Sequence, residues 1–341
     1  MRASVQAQKP TKVLLDTNIW RAITDARSAQ ELSLLCRSKG VQIVVAPCTV
    51  FETLRMGDVD LRNKIVRVQA ASHWLRLMPE AFYECDEIIR EVRRLHPEWL
   101  QPDPDLTKYD DIVRDWSRRT SIGKRPDALG FWGRAKIMPD LMASAVVDPR
   151  LEVARVETKE AQAQGKERLK GPMQLTGLKG RLPSQQVGSE IEAWRWPSLA
   201  AFFAHIVDDG AYRDWLAPWL KIGPQFMDRQ LWRKFWTEEA ALASMPRQWL
   251  RWAFNYYQLY AKWSSGTPAD EQLSSHLIDV DHVVSADRGF IRLVGDIGAQ
   301  APFEIANGHQ VSGGIDGAEA LISLIKNDEF QKPKTRADQA G

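Results

Sequence analysis

Three cysteines in 341 residues, Cys36, Cys48 and Cys85, are too few and too widely spaced for a disulfide framework or a zinc site. A reducing cytoplasm is therefore the expected setting. No apolar run reaches the roughly 18–20 residues that a membrane-spanning helix needs, so no membrane partner is expected. The first eleven residues, MRASVQAQKPT, mix charge and polarity without an apolar core, and no secretory leader is expected from them. Glycine is missing where a nucleotide fold requires it. The stretch TNIWRA after the first apolar run contains none, which excludes a dinucleotide-binding turn, and no P-loop, G-x-S-x-G elbow or H-E-x-x-H pattern occurs anywhere.

What is present is the composition of a globular protein, 44% hydrophobic and 26% charged. A net charge of +2 conceals an asymmetry, because residues 101–263 carry 25 Lys and Arg against 20 Asp and Glu, and the remainder 21 against 24. A mildly acidic frame joined to a basic middle suits cation binding in one part and polyanion binding in the other, although ordinary surface variation explains so small an excess equally well.

The N-terminal third alternates β-branched runs with helical stretches, the pattern of a parallel α/β sheet. Lys12–Asp16, Gln42–Ala46 and Trp74–Met78 read as strands. Ala29–Ser38, Thr49–Arg55, Val59–Ala71 and Asp86–Leu95 read as helices. The rhythm is lost over 98–263, where no convincing strand is found and Gly165–Gly188 reads as an exposed arm. It returns with a helix over Asp270–Ile278, a strand over His282–Ser285, a helical turn over Phe290–Val294, a strand over Phe303–Ala306 and a helix over Asp316–Lys326 whose N-cap is Asp316. Residues 331–341 read as a disordered tail. Strands near both ends must then share one sheet, with a helical insertion between them.

In an open parallel sheet, ligands bind beyond the carboxyl ends of the strands. Four acids fall there: Asp16 closing the first strand in LLDTNIW, Glu52 in PCTVFETL after the second, Asp270 opening the helix before the late strand, and Asp287 after that strand in HVVSADRGF. Any one of them alone is an ordinary cap or loop residue; Asp270–Glu271 is a good helix start in its own right. Four carboxylates on one rim repel unless a hard divalent cation such as Mg²⁺ or Mn²⁺ offsets the charge, and such a cation can activate water against a phosphodiester. A strand-end Asp nucleophile of the phosphatase kind would need a second acid two residues on, and that position is Asn18, which cannot donate a proton at neutral pH.

LLDTNIW, the P-x-x-x-x-E segment from Pro47 to Glu52, the Asp270 helix and the VSADRGF close resemble PIN domains over residues 10–96 and 264–326. The resemblance implies a three-layer α/β/α fold with 97–263 as an all-α insertion, foreign to the compact family pattern. It implies metal-dependent RNA cleavage by Asp16, Glu52, Asp270 and Asp287. Asn18 and Ser285 match polar positions beside the first and last Asp. Glu271, Asp279 and Asp281 compete with Asp270, and Asp281 reads as a supporting or structural acid. The resemblance implies an endoribonuclease, either toxin-like and restrained by a protein inhibitor or acting in RNA processing, and the large insertion counts against the compact-toxin role. A structure-specific DNA nuclease and a non-catalytic nucleic-acid- or protein-binding module are the alternatives.

Two further signals concern the middle segment. Arg114, Arg118, Arg119, Lys124, Arg125, Arg134 and Lys136 interleave with Trp116, Phe131 and Trp132, as cations and stacking faces do along a single-stranded nucleic acid, or as a solvated helix face with inward tryptophans does. Arg118, Arg119, Lys124 and Arg125 are the expected nucleic-acid contacts. Trp215, Trp219, Trp232, Trp236, Trp249, Trp252 and Tyr256 recur at three- and four-residue steps, the spacing of a buried helical stripe. His276, at helical spacing from Asp270, either reaches a phosphate or is simply packed, and the second reading is favoured.

Overall fold

A computed structural model describes residues 9–117, 129–146, 174–175, 177–181, 190–208, 210–221, 229–260 and 267–331. In chain order the strands are β1 (Thr11–Leu15), β2 (Val41–Val45), β3 (Leu75–Arg76), β4 (Lys179–Arg181), β5 (Glu190–Glu192), β6 (His282–Ser285) and β7 (Asn307–Gln310). Five of them make one parallel sheet in the order β3–β2–β1–β6–β7. The chain thus leaves the sheet after β3 and returns to the far side of β1. The other two, β4 and β5, pair as an antiparallel hairpin inside the segment that was expected to hold no strand.

The last strand is displaced from its expected place. Phe303 packs edge-on against Trp249 instead of joining the sheet, and the ladder with β6 runs over Asn307–Gln310. This strand lies at the sheet edge and its sequence, NGHQ, has no apolar alternation, so hydrophobic pattern alone points to its apolar neighbour. A helix over Thr17–Asp25 also went unassigned from sequence. Its N-cap is Asp16, whose side chain accepts from the Thr17 amide, and it buries Ile19, Trp20, Ala22 and Ile23.

The helices that place the site are this α1 (Thr17–Asp25), α2 (Ala29–Ser38), α3 (Pro47–Leu54), α4 (Val59–Gln69) and α5 (Glu80–Leu95). Successive strand residues face opposite sides of the sheet. Val13, Leu15, Ile43, Val45 and Val284 bury one face against Trp20 of α1, Leu32 of α2, Ile65 of α4 and Leu321 of the helix Ile315–Lys326. Leu14, Val44 and Val283 bury the other against Ile88 and Val92 of α5, Phe290 of the helix Arg288–Gly298, and Trp249, Leu250 and Phe254 of the helix Pro246–Tyr260. Trp194, Trp215, Trp232 and Trp236 belong to that same core, so these described parts of the middle segment pack onto the sheet, with Trp219 and Tyr256 of the aromatic stripe half-buried against them. Among the described residues no helix is long and apolar enough to cross a membrane.

The helix Ile315–Lys326 lies close against α1. Its N-cap is Gly314, at φ 67°, and Asp316 sits in the first turn instead of capping it. A Cβ on Gly317 would run into the Ser312 carbonyl. Gly317→Ala is therefore expected to cost about 1–3 kcal/mol by forcing the backbone aside, read as a lowered thermal midpoint. An unchanged midpoint would mean that the 311–314 turn yields freely.

Candidate metal centre

In this strand order the chain passes from β1 to β2 on one side and from β6 to β7 on the other. The crevice expected for ligands therefore opens between the carboxyl ends of β1 and β6. Asp16 directly follows β1, and its amide donates to the Val284 carbonyl at 3.1 Å, prolonging the β1–β6 ladder. Asp287 lies two residues past β6. Glu52 comes from α3, which straddles the two cores, with Cys48 in one and Val50 and Leu54 in the other. Asp270 stands in the helix Thr267–Ser274.

These four acids feel one another. Burial first, and then the charges of Asp16, Asp287 and Glu52, push the Asp270 carboxyl up to about 8. Burial also raises Asp16, with Asp287 adding to it, against hydrogen bonds from Ser285, Thr17 and Asn18 that lower it. Asp16, Glu52 and Asp287 thus lie near enough to Asp270 for their charges to act on it.

The side chains around the acids fix their direction. Asn18 Nδ2 and Ser285 Oγ each donate to Asp16 Oδ2 at 2.6 Å, and the Thr17 amide donates to Asp16 Oδ1 at 2.6 Å. Ser285 Oγ also accepts from the Asp287 amide at 2.9 Å, and Asn18 Oδ1 accepts from the Ala286 amide at 2.9 Å. Asn18 and Ser285 therefore stitch the β1 turn to the β6 turn. Asp287 Oδ1 caps its own helix, taking the Gly289 and Phe290 amides at 2.7 and 3.1 Å, while Oδ2 has no bond among the described residues. Thr17 Oγ1 donates to Glu52 Oε2 at 2.5 Å. Thr17 was missed from sequence, since a threonine between two better candidates carries no separate signal.

Asp281 is not brought to the cluster. Its Oδ2 accepts from the Lys12 amide at 2.8 Å, at the start of β1, the end opposite Asp16, because the residue before a parallel strand lies at the amino edge of the sheet. Glu271 and Asp279 also turn away, to Arg251 at 3.1 Å and Arg247 at 2.5 Å. Those two arginines on the helix Pro246–Tyr260 also grip Glu84 and Glu87 of α5, at 2.8 and 2.6 Å. Sequence reasoning overlooked this clamp. Its trace is the Glu80, Glu84, Glu87, Glu91 row at four-, three- and four-residue steps along one helix face.

Of the expected nucleic-acid contacts, Arg118, Arg119, Lys124 and Arg125 lie outside the described residues. Arg134 is held bidentate by Asp115 at 2.6 and 2.7 Å, and Arg114 pairs with Asp111 at 2.5 Å. Trp116 stacks on Phe131 at 4.1 Å, Phe51 meets both edge-on, and Trp132 is fully buried. These aromatic faces are spent on the core.

His276 is fully buried, with Nε2 at 3.2 Å from Glu80 and Nδ1 at 3.5 Å from Asp279. Burial disfavours its charge, but the two carboxylates outweigh that and push it up to about 9. It is packed, in keeping with the sequence reading of a packed or solvated residue, whereas its carboxylate partners were not foreseen.

Compared with protein-family models, with curated proteins and with solved structures, the chain finds no match in any of the three.

Proposed function

We propose that this chain is a Mg²⁺- or Mn²⁺-dependent ribonuclease on a PIN-like three-layer fold, with residues 97–263 as a mainly helical insertion that also holds the β4–β5 pair. The observation that carries the reading is the convergence of Asp16, Glu52, Asp270 and Asp287 from four separate elements on the crevice between β1 and β6. Burial and the charges of the three other acids act together on Asp270. An all-carboxylate donor set of this kind fits a hard divalent cation.

When bound, such a cation activates water and steadies the leaving oxygen of a phosphodiester. The protein's own residues supply orientation. Asp16 is the rigid member, tied through both oxygens, and Asp287 anchors a helix through Oδ1, which leaves Oδ2 for a cation. Glu52, braced by Thr17, ligates the cation or orients the attacking water. Asp270 completes the cluster once its proton leaves.

The test is cleavage of labelled single-stranded RNA and of matched DNA, with Mn²⁺, with Mg²⁺ and with chelator. RNA cleavage is expected to need metal and to fall at least roughly 100-fold in Asp16→Asn, or about 2.7 kcal/mol of transition-state stabilisation. Full metal-dependent activity in Asp16→Asn would sink the assignment. Equal cleavage of DNA would overturn the RNA preference. Metal binding without cleavage of either strand would favour a binding module.

A further inference from the structure

One helical turn before Glu52 lies a second donor cluster that the carboxylate chemistry leaves unused. The ligand atoms of Cys48, Glu80 and His276 all lie within 4.8 Å of one another. They come from α3, from the first residue of α5 and from the turn after the helix Thr267–Ser274. Cys48 and His276 are buried, and Glu80 is only 14% exposed.

We propose that Cys48, Glu80 and His276 form a site for a zinc-class divalent cation, separate from the carboxylate centre. Thiolate, imidazole and carboxylate together are a borderline-soft donor set, unlike the four hard carboxylates nearby. The spacing suits it. With metal–nitrogen and metal–oxygen bonds of about 2.0–2.1 Å, the edge of a tetrahedron is about 3.3 Å. Glu80 Oε1 and His276 Nε2 stand 3.2 Å apart. The thiol needs at most about 1 Å of closure from a side-chain rotation.

The support behind the ligands points the same way. His276 turns Nδ1 to Asp279, and Asp279 is in turn held by Arg247, which sits between Asp279 and Glu87. A carboxylate behind the distal nitrogen of a ligating histidine is the usual orienting partner. Binding forms metal bonds to Sγ, the Glu80 oxygen and Nε2, and releases the thiol proton and the Nε2 proton to water. The site would then pin together the three elements that carry or flank Glu52 and Asp270.

Cobalt(II) serves as the spectroscopic stand-in, titrated into the full-length, chelator-treated chain. The expected result is one equivalent taken up with a thiolate-to-cobalt absorption band that zinc displaces. The band should vanish in Cys48→Ala, with Cys36 and Cys85 still present, and persist in Asp270→Asn. Glu80→Gln, which leaves the thiol in place, should weaken zinc binding at least 10-fold. No thiolate band in the wild type, or a band that survives Cys48→Ala, overturns the site and leaves a His276–Glu80 ion pair only. The absorption arises whether or not the chain cleaves RNA, so failure here and failure of the nuclease reading are separate results.

Discussion

Asp270→Asn is expected to make the metal-free protein more stable and, on the proposed nuclease reading, to abolish metal-dependent RNA cleavage. In an unfolded chain an aspartate ionises near 3.9, whereas in this fold burial and three neighbouring carboxylates hold Asp270 protonated up to about 8. Below about pH 4 the acid is neutral in both states and costs nothing. As pH rises toward 8 the unfolded chain gives up a proton that the folded protein retains, so stability declines across that window. The loss is on the order of 3–5 kcal/mol by pH 8. Asparagine stays neutral throughout, so its advantage should be small near pH 5 and largest at pH 8, where the thermal midpoint should rise by roughly 5–15 °C. Mn²⁺ should reverse the order by stabilising the wild type alone. Thermal scans at both pH values, with chelator and with Mn²⁺, measure this. A variant that melts below the wild type at pH 8 in chelator would show that the four acids do not crowd one another.

Asp16→Asn is the less clean knockout for a structural reason. Asp16 accepts from Asn18, Ser285 and the Thr17 amide, and Asn18 is itself held by the Ala286 amide. An amide at position 16 must point its NH₂ at one of those donors, so relief of repulsion is offset by a lost hydrogen bond. Its activity loss should come with a lower midpoint, where that of Asp270→Asn comes with a higher one.

The second large effect is expected from Arg251→Met. Arg251 joins Glu84, which is 1% exposed on its side chain, to Glu271, the residue next to Asp270. Tyr212 donates to the same Glu84 oxygen, Oε2. Methionine fills much of the volume but leaves two carboxylates without their cation. Removing one partner of a buried ion pair costs about 3–5 kcal/mol, mostly because the other charge stays buried. Adding Glu84→Gln to Arg251→Met should recover part of the loss, since it removes the stranded charge. Urea unfolding of the single and double variants measures both terms. A double variant less stable than Arg251→Met would mean that Glu84 is held mainly by Tyr212.

Much of the sheet is legible in the sequence. Ala29–Ser38 and His282–Ser285 have the boundaries read from sequence, because a helix with an apolar stripe and a buried β-branched strand announce themselves by period. The polar edge strand β7 does not, whereas β3, read from sequence over Trp74–Met78, is found but pairs over Leu75–Arg76 only. The acids at strand ends were legible for the same reason as the strands. The partners that aim them, Thr17 onto Glu52 across 35 positions and Ser285 onto Asp16 across 269, follow only from which turns the sheet places side by side.

The sequence by itself determined a parallel α/β sheet, a tryptophan-rich interior and four acids near strand ends, since each of these is a local pattern of polarity along the chain. Only the tertiary structure decided that β6 returns beside β1, that described parts of the middle segment share the sheet's core, and that Glu84 and Glu87 of α5 meet Arg251 and Arg247. It also decided that Cys48, set aside in sequence for want of a nearby cysteine, stands beside Glu80 and His276. The physical reason is common to all of these. Burial strengthens charge–charge and donor–acceptor contacts between elements that period and propensity describe one at a time, and which elements meet is chosen by packing the whole core.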